Sequence, residues 1–195
     1  MNKIIALIIF SFLIIAVKSQ GNTLFSVETY SEDVEKLELI VSKKIDSLRE
    51  HKKRDPLILH EHLKTSARHH LIWVKETGRV VHFQDVKITK TPIKRARLAG
   101  YTEKLIGENL AMTKYGKELK TEKGLIYVNE TLEDIANDLV NNIWRKSKGH
   151  YKNIIGKEFK DHGVAIAVDT HHHKVYVMQV LGGEVKGKQQ KKRRK

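Results

Sequence analysis

Two imidazoles and one carboxylate draw attention in this 195-residue chain because of the residues around them. Glu108 lies in Gly107-Glu108-Asn109-Leu110-Ala111. His150 lies in Trp144-x-x-Ser147-x-Gly149-His150-Tyr151-x-Asn153-Ile154-Ile155, and His82 follows a helical pattern that stops at Gly78. The three belong to different elements, so only tertiary structure could bring them into one cleft. Two neutral imidazoles and a carboxylate are a competent ligand set for Zn²⁺ or another divalent cation, with a fourth position left for water. Such an ion lowers the pKa of its water and polarises a carbonyl, which would allow hydrolysis with Glu108 as ligand or general base. Without a metal, the same groups would make a polar network in which Glu108 orients an imidazole. No nucleophile stands beside a base: Ser147 is three residues from His150, and closeness along the chain does not make a triad.

The elements that must position these groups are legible in the hydrophobic periodicity. Ser31 reads as an N-cap with Glu32 and Asp33 in the first turn, followed by Val34, Leu37, Val41, Ile45 and Leu48 at helical spacing. A second helix is predicted from about His60 to Glu76, with Leu63, Ala67, Leu71 and Val74 on one face and Gly78 as its stop. Pro92 opens a short helix through Ala99, with Gly100 at C′. Thr131 and Asp134 form a capping-box-like start to a long helix carrying Leu132, Ile135, Leu139, Ile143 and Trp144. Trp144 falls on the core stripe of that helix. Val164, Ile166 and Val168, then Val175 and Val177, alternate around Asp169-Thr170-His171-His172-His173-Lys174 as a hairpin. Another apolar segment spans Leu105 to Met112. Helices first and a hairpin last argue for an α+β fold, a three-layer α-β-α sandwich with a small antiparallel sheet flanked by helices. Asn109 and Asn153 are expected to tie loop backbone together. Gly107 and Gly149 are expected to permit tight approach or positive φ.

The remaining histidines invite a metal assignment and do not support one. His60, His62, His69 and His70 include no i, i+4 pair and no His-Glu-x-x-His, so they read as surface or cap residues. His171 to His173 sit at a turn, where side chains diverge.

The ends of the chain concern export. Met1-Asn2-Lys3 precedes an apolar run from Ile4 to Val17, shorter than the roughly 20 residues a membrane span needs, and a small residue follows. Residues 1–19 therefore read as a secretory signal peptide, and the mature chain as secreted, extracellular or periplasmic, with no transmembrane span. Residues 20–33 form a lead-in and 34–183 the folded domain. The absence of cysteine excludes both disulfides and a lipoprotein anchor, so stability must come from a buried core, for which a mature chain of about 175 residues is long enough. The formal charge is +14, and the last ten residues hold seven basic and no acidic side chains. The segment 184–195 reads as a disordered basic tail suited to weak contact with an anionic surface or polyanion, not to sequence-specific nucleic-acid recognition.

Taken in order, these motifs resemble the CAP superfamily, also called SCP-like or sperm-coating-protein-like domains. The resemblance rests on Pro56-Leu57, Ala67-Arg68-His69, His82 and Arg97-Leu98-Ala99-Gly100-Tyr101. It continues through the Glu108 and His150 motifs to His162-Gly163-Val164-Ala165, so it spans roughly residues 35 to 182. The Trp-x-x-Ser-x-Gly-His form without cysteine resembles the bacterial branch. The resemblance implies a cleft lined by His82, Glu108, Asn109, Ser147 and His150, with His82, Glu108 and His150 as metal-ligand candidates and Glu108 as catalytic candidate. Ser147 stands where animal members carry a second acid. The function implied is a secreted module binding a small molecule, lipid or peptide, with a metal-dependent peptidase as the alternative. A further alternative is a polyanion-binding surface protein whose cleft is vestigial.

Overall fold

The computed structural model describes residues 24–26, 30–120 and 122–184. The segment 1–19, expected to be a signal peptide, and all of the expected tail 184–195 except Glu184 lie outside the described residues, and the lead-in 20–33 is described only in part. Among the described residues, no helix is long and apolar enough to cross a membrane.

The chain forms α1 (Tyr30–Glu50), β1 (Ile58–Leu59), α2 (Glu61–Thr77), α3 (Pro92–Leu98), β2 (Leu105–Lys114), β3 (Glu118–Lys120) and β4 (Ile126–Val128). It continues with α4 (Leu132–Asn137), a π-helical segment Asp138–Trp144, α5 (Lys148–Ile154), β5 (Phe159–Asp169) and β6 (Lys174–Gly183). The main sheet has the order β1-β5-β6-β2. β5 and β6 form the expected hairpin, and β2 runs antiparallel to β6 with Glu108 opposite Val180. The sheet is not wholly antiparallel as expected, because the two-residue β1 pairs parallel to β5 at its edge.

Strand alternation divides the interior into two cores and so makes three layers. Ala111, Val164, Ile166, Val177 and Leu181 face α1, α4, the π segment and α5, where Leu37, Val41, Ile45, Leu139 and Trp144 pack. Leu110, Ala165, Met178 and Val180 face α2 and α3, against Leu63, Ala67, Leu71 and Ala96. Trp144 is fully buried, as its place on the stripe implied.

Local signals place most helix ends. His60 caps α2 with its ring nitrogen accepting from the His62 N–H at 3.3 Å, and Gly78 closes it in a left-handed conformation with φ 67°. Thr131 and Asp134 form a reciprocal capping box. Three expectations need correction. α1 begins at Tyr30, so Ser31 lies inside it instead of capping it. The long helix after Thr131 is not uniformly α-helical: it widens to i→i−5 bonding, as in Arg145 N–H to Val140 O at 2.8 Å. Buried Asp138 marks the junction, accepting from the hydroxyls of Thr113 and Tyr127. Gly149 lies within α5 without positive φ, and its α-carbon faces open space.

Candidate functional site

Strand parity decides which groups can meet. Glu108 and Asn109 are adjacent on β2, so their side chains leave opposite faces of the sheet. Glu108 points into the α2/α3 layer. There Arg95 of α3 reaches it, Nη2 donating to both carboxylate oxygens at 2.8 and 2.9 Å. Their side chains are 1% and 2% exposed, so the carboxylate has exchanged water for the guanidinium. His82 stands at the mouth of this pair, 41% exposed, with Nδ1 3.3 Å from Glu108 Oε2.

Arg95 also shapes the segment that carries His82. It donates to the carbonyls of His82 at 3.0 Å and Thr89 at 2.9 Å. From beneath, buried His70 accepts from the Gln84 amide at 2.8 Å through Nδ1, and its Nε2–H donates to Val81 O at 2.8 Å. Burial, reinforced by the Arg95 charge, lowers the His70 pKa, which suits this neutral tautomer. The sequence suggested a surface or cap role for His70; it is instead the buried support of the His82 loop. His60 is the cap, and His62 and His69 are exposed.

Asn109 joins a different network on the other face. Asn153 Nδ2 donates to Asn109 Oδ1 at 3.0 Å and to Glu108 O at 3.1 Å. Asn109 Nδ2 donates to Gln179 Oε1 at 3.0 Å and to His150 O at 3.2 Å. Gln179 Nε2 in turn donates to His162 Nδ1 at 3.3 Å. The two asparagines therefore tie helix α5 to strand β2, where sequence suggested loop ties. Ser147 is the N-cap of α5, its hydroxyl accepting from the His150 N–H at 3.5 Å. Arg49 locks the other end of α5, donating to Ile154 O at 2.7 Å and Gly156 O at 3.0 Å. His150 makes no hydrogen bond to Glu108 or His82. Its pKa is lowered by burial and then by the nearby His82.

Burial pushes the His162 pKa down to about 4, with the Arg49 charge adding to it. An unfolded histidine titrates near 6.5, so between these values the unfolded chain binds a proton that the folded chain refuses. Stability is therefore full above about pH 6.5 and falls as pH drops towards 4, by about 3 kcal/mol from this residue. His70 and His150 act in the same direction. Urea titrations between pH 7.5 and 4.5 should show this slope, and His162→Gln should flatten it. An equal slope in the variant would remove His162 as the cause.

The structure thus brings His82 and Glu108 together, adds Arg95, and leaves Asn109 and Ser147 in scaffold roles. Among the described residues, no group of three or more His, Asp or Glu side chains is arranged to hold a metal. The donor chemistry supplies a reason. Both oxygens of Glu108 already accept from a buried cation, and a divalent ion on that carboxylate would sit beside a fixed positive charge. While Arg95 holds Glu108, the three residues do not fit a His₂Glu zinc centre. Three surface cavities lie away from the Glu108 carboxylate. One of about 570 Å³ borders α3, one of about 410 Å³ lies by Arg49 and Arg54, and one of about 230 Å³ lies between α1 and α2.

With this geometry established, comparison is decisive for the family. The profile of the CAP family, described as the cysteine-rich secretory protein family, matches residues 43–181. The chain belongs to the CAP family. The match takes in both cores and every element from within α1 to within β6. No match was found among curated protein sequences. Solved structures share the fold. An outer surface protein from Borrelia burgdorferi is 20% identical with a TM-score of 0.59, covering 77% of this chain and 95% of its own. An extracellular SCP-domain protein from Bacillus anthracis is 14% identical with a TM-score of 0.61, covering 82% of this chain and 44% of its own. A cysteine-rich secretory protein from Staphylococcus aureus is 13% identical with a TM-score of 0.53, covering 78% and 40%. This chain therefore spans less than half the length of the last two. The CAP fold here is built without a single cysteine, so its two apolar cores carry the stability.

Proposed function

We propose that this CAP-family chain is an exported binding module and not a hydrolase, with its recognition floor formed by the Arg95–Glu108 pair and His82 at the mouth. One observation carries the proposal: the Glu108 carboxylate is bound on both oxygens by a buried guanidinium. A carboxylate so held is a poor general base and a poor metal ligand, because its side chain is 2% exposed and each oxygen already accepts from a guanidinium whose fixed charge repels a cation. The accessible polar group is His82, whose half-exposed ring can meet a small molecule, lipid or peptide. Export is supported by the segment 1–19, and the seven basic residues of 186–195 would add a salt-sensitive hold on an anionic surface.

Two measurements on the tag-free chain test this. In calorimetry with zinc chloride at neutral pH, no heat should depend on His82 and His150. Any heat that survives His82→Ala/His150→Ala comes from histidines outside the site, such as His60/His62 or His171 to His173. With an unbiased peptide mixture followed by mass spectrometry, no cleavage should depend on Glu108. Zinc binding lost in the double variant, or turnover lost in a folded Glu108→Gln protein, would instead establish the metal-dependent peptidase.

A further inference from the structure

From Val86 to Thr102 the chain carries five basic residues and no acid. Arg95 is buried against Glu108. Lys87, Lys90, Lys94 and Arg97 are exposed, and among the described residues none of them forms an ion pair. Aliphatic side chains are interleaved with them. Val86 is 54% exposed, Ile88 60%, Ile93 39% and Leu98 55%. All four line the open groove of about 570 Å³ beside α3, together with Lys87, Lys94 and Arg97. Phe83, on the same loop, is 57% exposed. A contiguous apolar surface of this kind on a soluble domain calls for a partner.

The backbone that displays these side chains is held in place. Thr89 N–H donates to Val86 O at 3.1 Å, Gln84 N–H to Lys90 O at 3.1 Å, and Arg95 to Thr89 O at 2.9 Å. The apolar groups are therefore presented on a frame that needs little ordering when a partner arrives.

We propose that this face, the 83–98 loop with helix α3, docks on an anionic lipid bilayer. Four exposed cations, beside a single acid, Asp85, that is already paired with Arg79 at 2.6 Å, call for an anionic partner. The half-exposed aliphatic residues select a bilayer over a single bound acyl chain. A lone chain in an open groove would leave itself and the groove walls partly in water. A membrane interface would cover the aliphatic side chains, while the lysine and arginine heads stay at headgroup level. A second copy would set four cations against four in a twofold contact. Single-stranded nucleic acid would call for stacking aromatics, and Phe83 stands alone among aliphatic residues.

The chain has no cysteine, so Ile88→Cys gives a unique attachment point for an environment-sensitive dye. On phosphatidylcholine vesicles containing about 30% phosphatidylglycerol, the emission of the full chain should shift to the blue, and on pure phosphatidylcholine it should not. The same dye at Lys36→Cys, on α1 behind the opposite face of the sheet, should stay unchanged. Lys87→Glu/Lys94→Glu and, separately, Val86→Ser/Leu98→Ser should each weaken partitioning at least about tenfold, with urea midpoints unaltered because these positions are exposed. Deleting residues 186–195 should lower total partitioning but keep the blue shift at position 88. The proposal is overturned if the chain binds anionic vesicles while the dye at 88 stays silent, since the tail would then be responsible. Unchanged binding by the charge-reversed variant, or a vesicle-free shift that follows protein concentration and dimerisation, would overturn it as well.

Discussion

Arg95→Ala should lose about 3–5 kcal/mol of stability at neutral pH, a large share of what a domain of this size possesses. The substitution strands Glu108 in the α2/α3 layer, where its side chain is 2% exposed and only His82 remains as a charge partner. The pair itself is not worth that much, because both ions have given up their water. The loss comes from leaving one ion behind. Arg95 also bonds the carbonyls of His82, Thr89 and Lys90, so the His82 loop should loosen with it. Urea denaturation measures the first effect, and hydrogen exchange at residues 82–90 measures the second. Replacing both partners, as in Arg95→Met/Glu108→Leu, should recover part of the stability but not the order of the loop. A cost below about 1 kcal/mol for Arg95→Ala would show that the pair is solvated and would remove the argument against Glu108 as a base or ligand.

Gly163→Ala should be the most damaging single-methyl change, at about 3 kcal/mol or more. Helix α2 meets the sheet at this residue. An added β-carbon would fall on the backbone nitrogen of Lys64 and the carbonyl carbon of Leu63. A side chain can turn aside from such a clash, but the first turn of a helix cannot. That turn is held in place, because His60 N–H bonds His162 O at 2.8 Å and Leu63 is fully buried. The methyl group must therefore lift α2 from β5 and open the core that contains His70 and the support of the site. Gly149→Ala provides the contrast. Its β-carbon would meet nothing within 4 Å inside α5, so the variant should gain about 0.5–1 kcal/mol from helix propensity. Comparing the two urea midpoints separates close approach from mere conformational freedom. Equal effects would refute the packing argument.

Most of the fold follows from short-range patterning. Leu63, Ala67, Leu71 and Val74 mark the buried face of α2, Gly78 ends it, and the Thr131–Asp134 box starts α4, each through interactions within a few residues. The hairpin of β5 and β6 is visible for the same reason. The β3–β4 hairpin is not, because Glu118-Leu119-Lys120 and Ile126-Tyr127-Val128 are too short to show a period. The parallel pairing of β1 is invisible because two residues have no pattern. The widening begins at Asp138, whose carboxylate meets hydroxyls from β2 and β4, 25 and 11 residues back, beyond the reach of helical periodicity.

The candidate site divides along the same line. The motifs that resemble the family singled out His82, Glu108 and His150, while composition alone excluded disulfides and marked the apolar N-terminal run and the basic tail. Strand parity could also have separated Glu108 from Asn109, since neighbours on a strand cannot line one face. The choice of Arg95 from Lys94, Arg95 and Arg97 as the inward cation could not be read locally. It depends on the rotation of a two-turn helix against a strand whose Glu108 lies 13 residues further on. The conversion of Ser147 into a cap, Asn109 into a cross-sheet tie and His70 into a loop support likewise follows from where elements dock. Backbone geometry sets a helix or strand period within the segment itself. A buried ion pair exists only when two segments arrive together, which is why only tertiary structure could bring Arg95 to the Glu108 carboxylate.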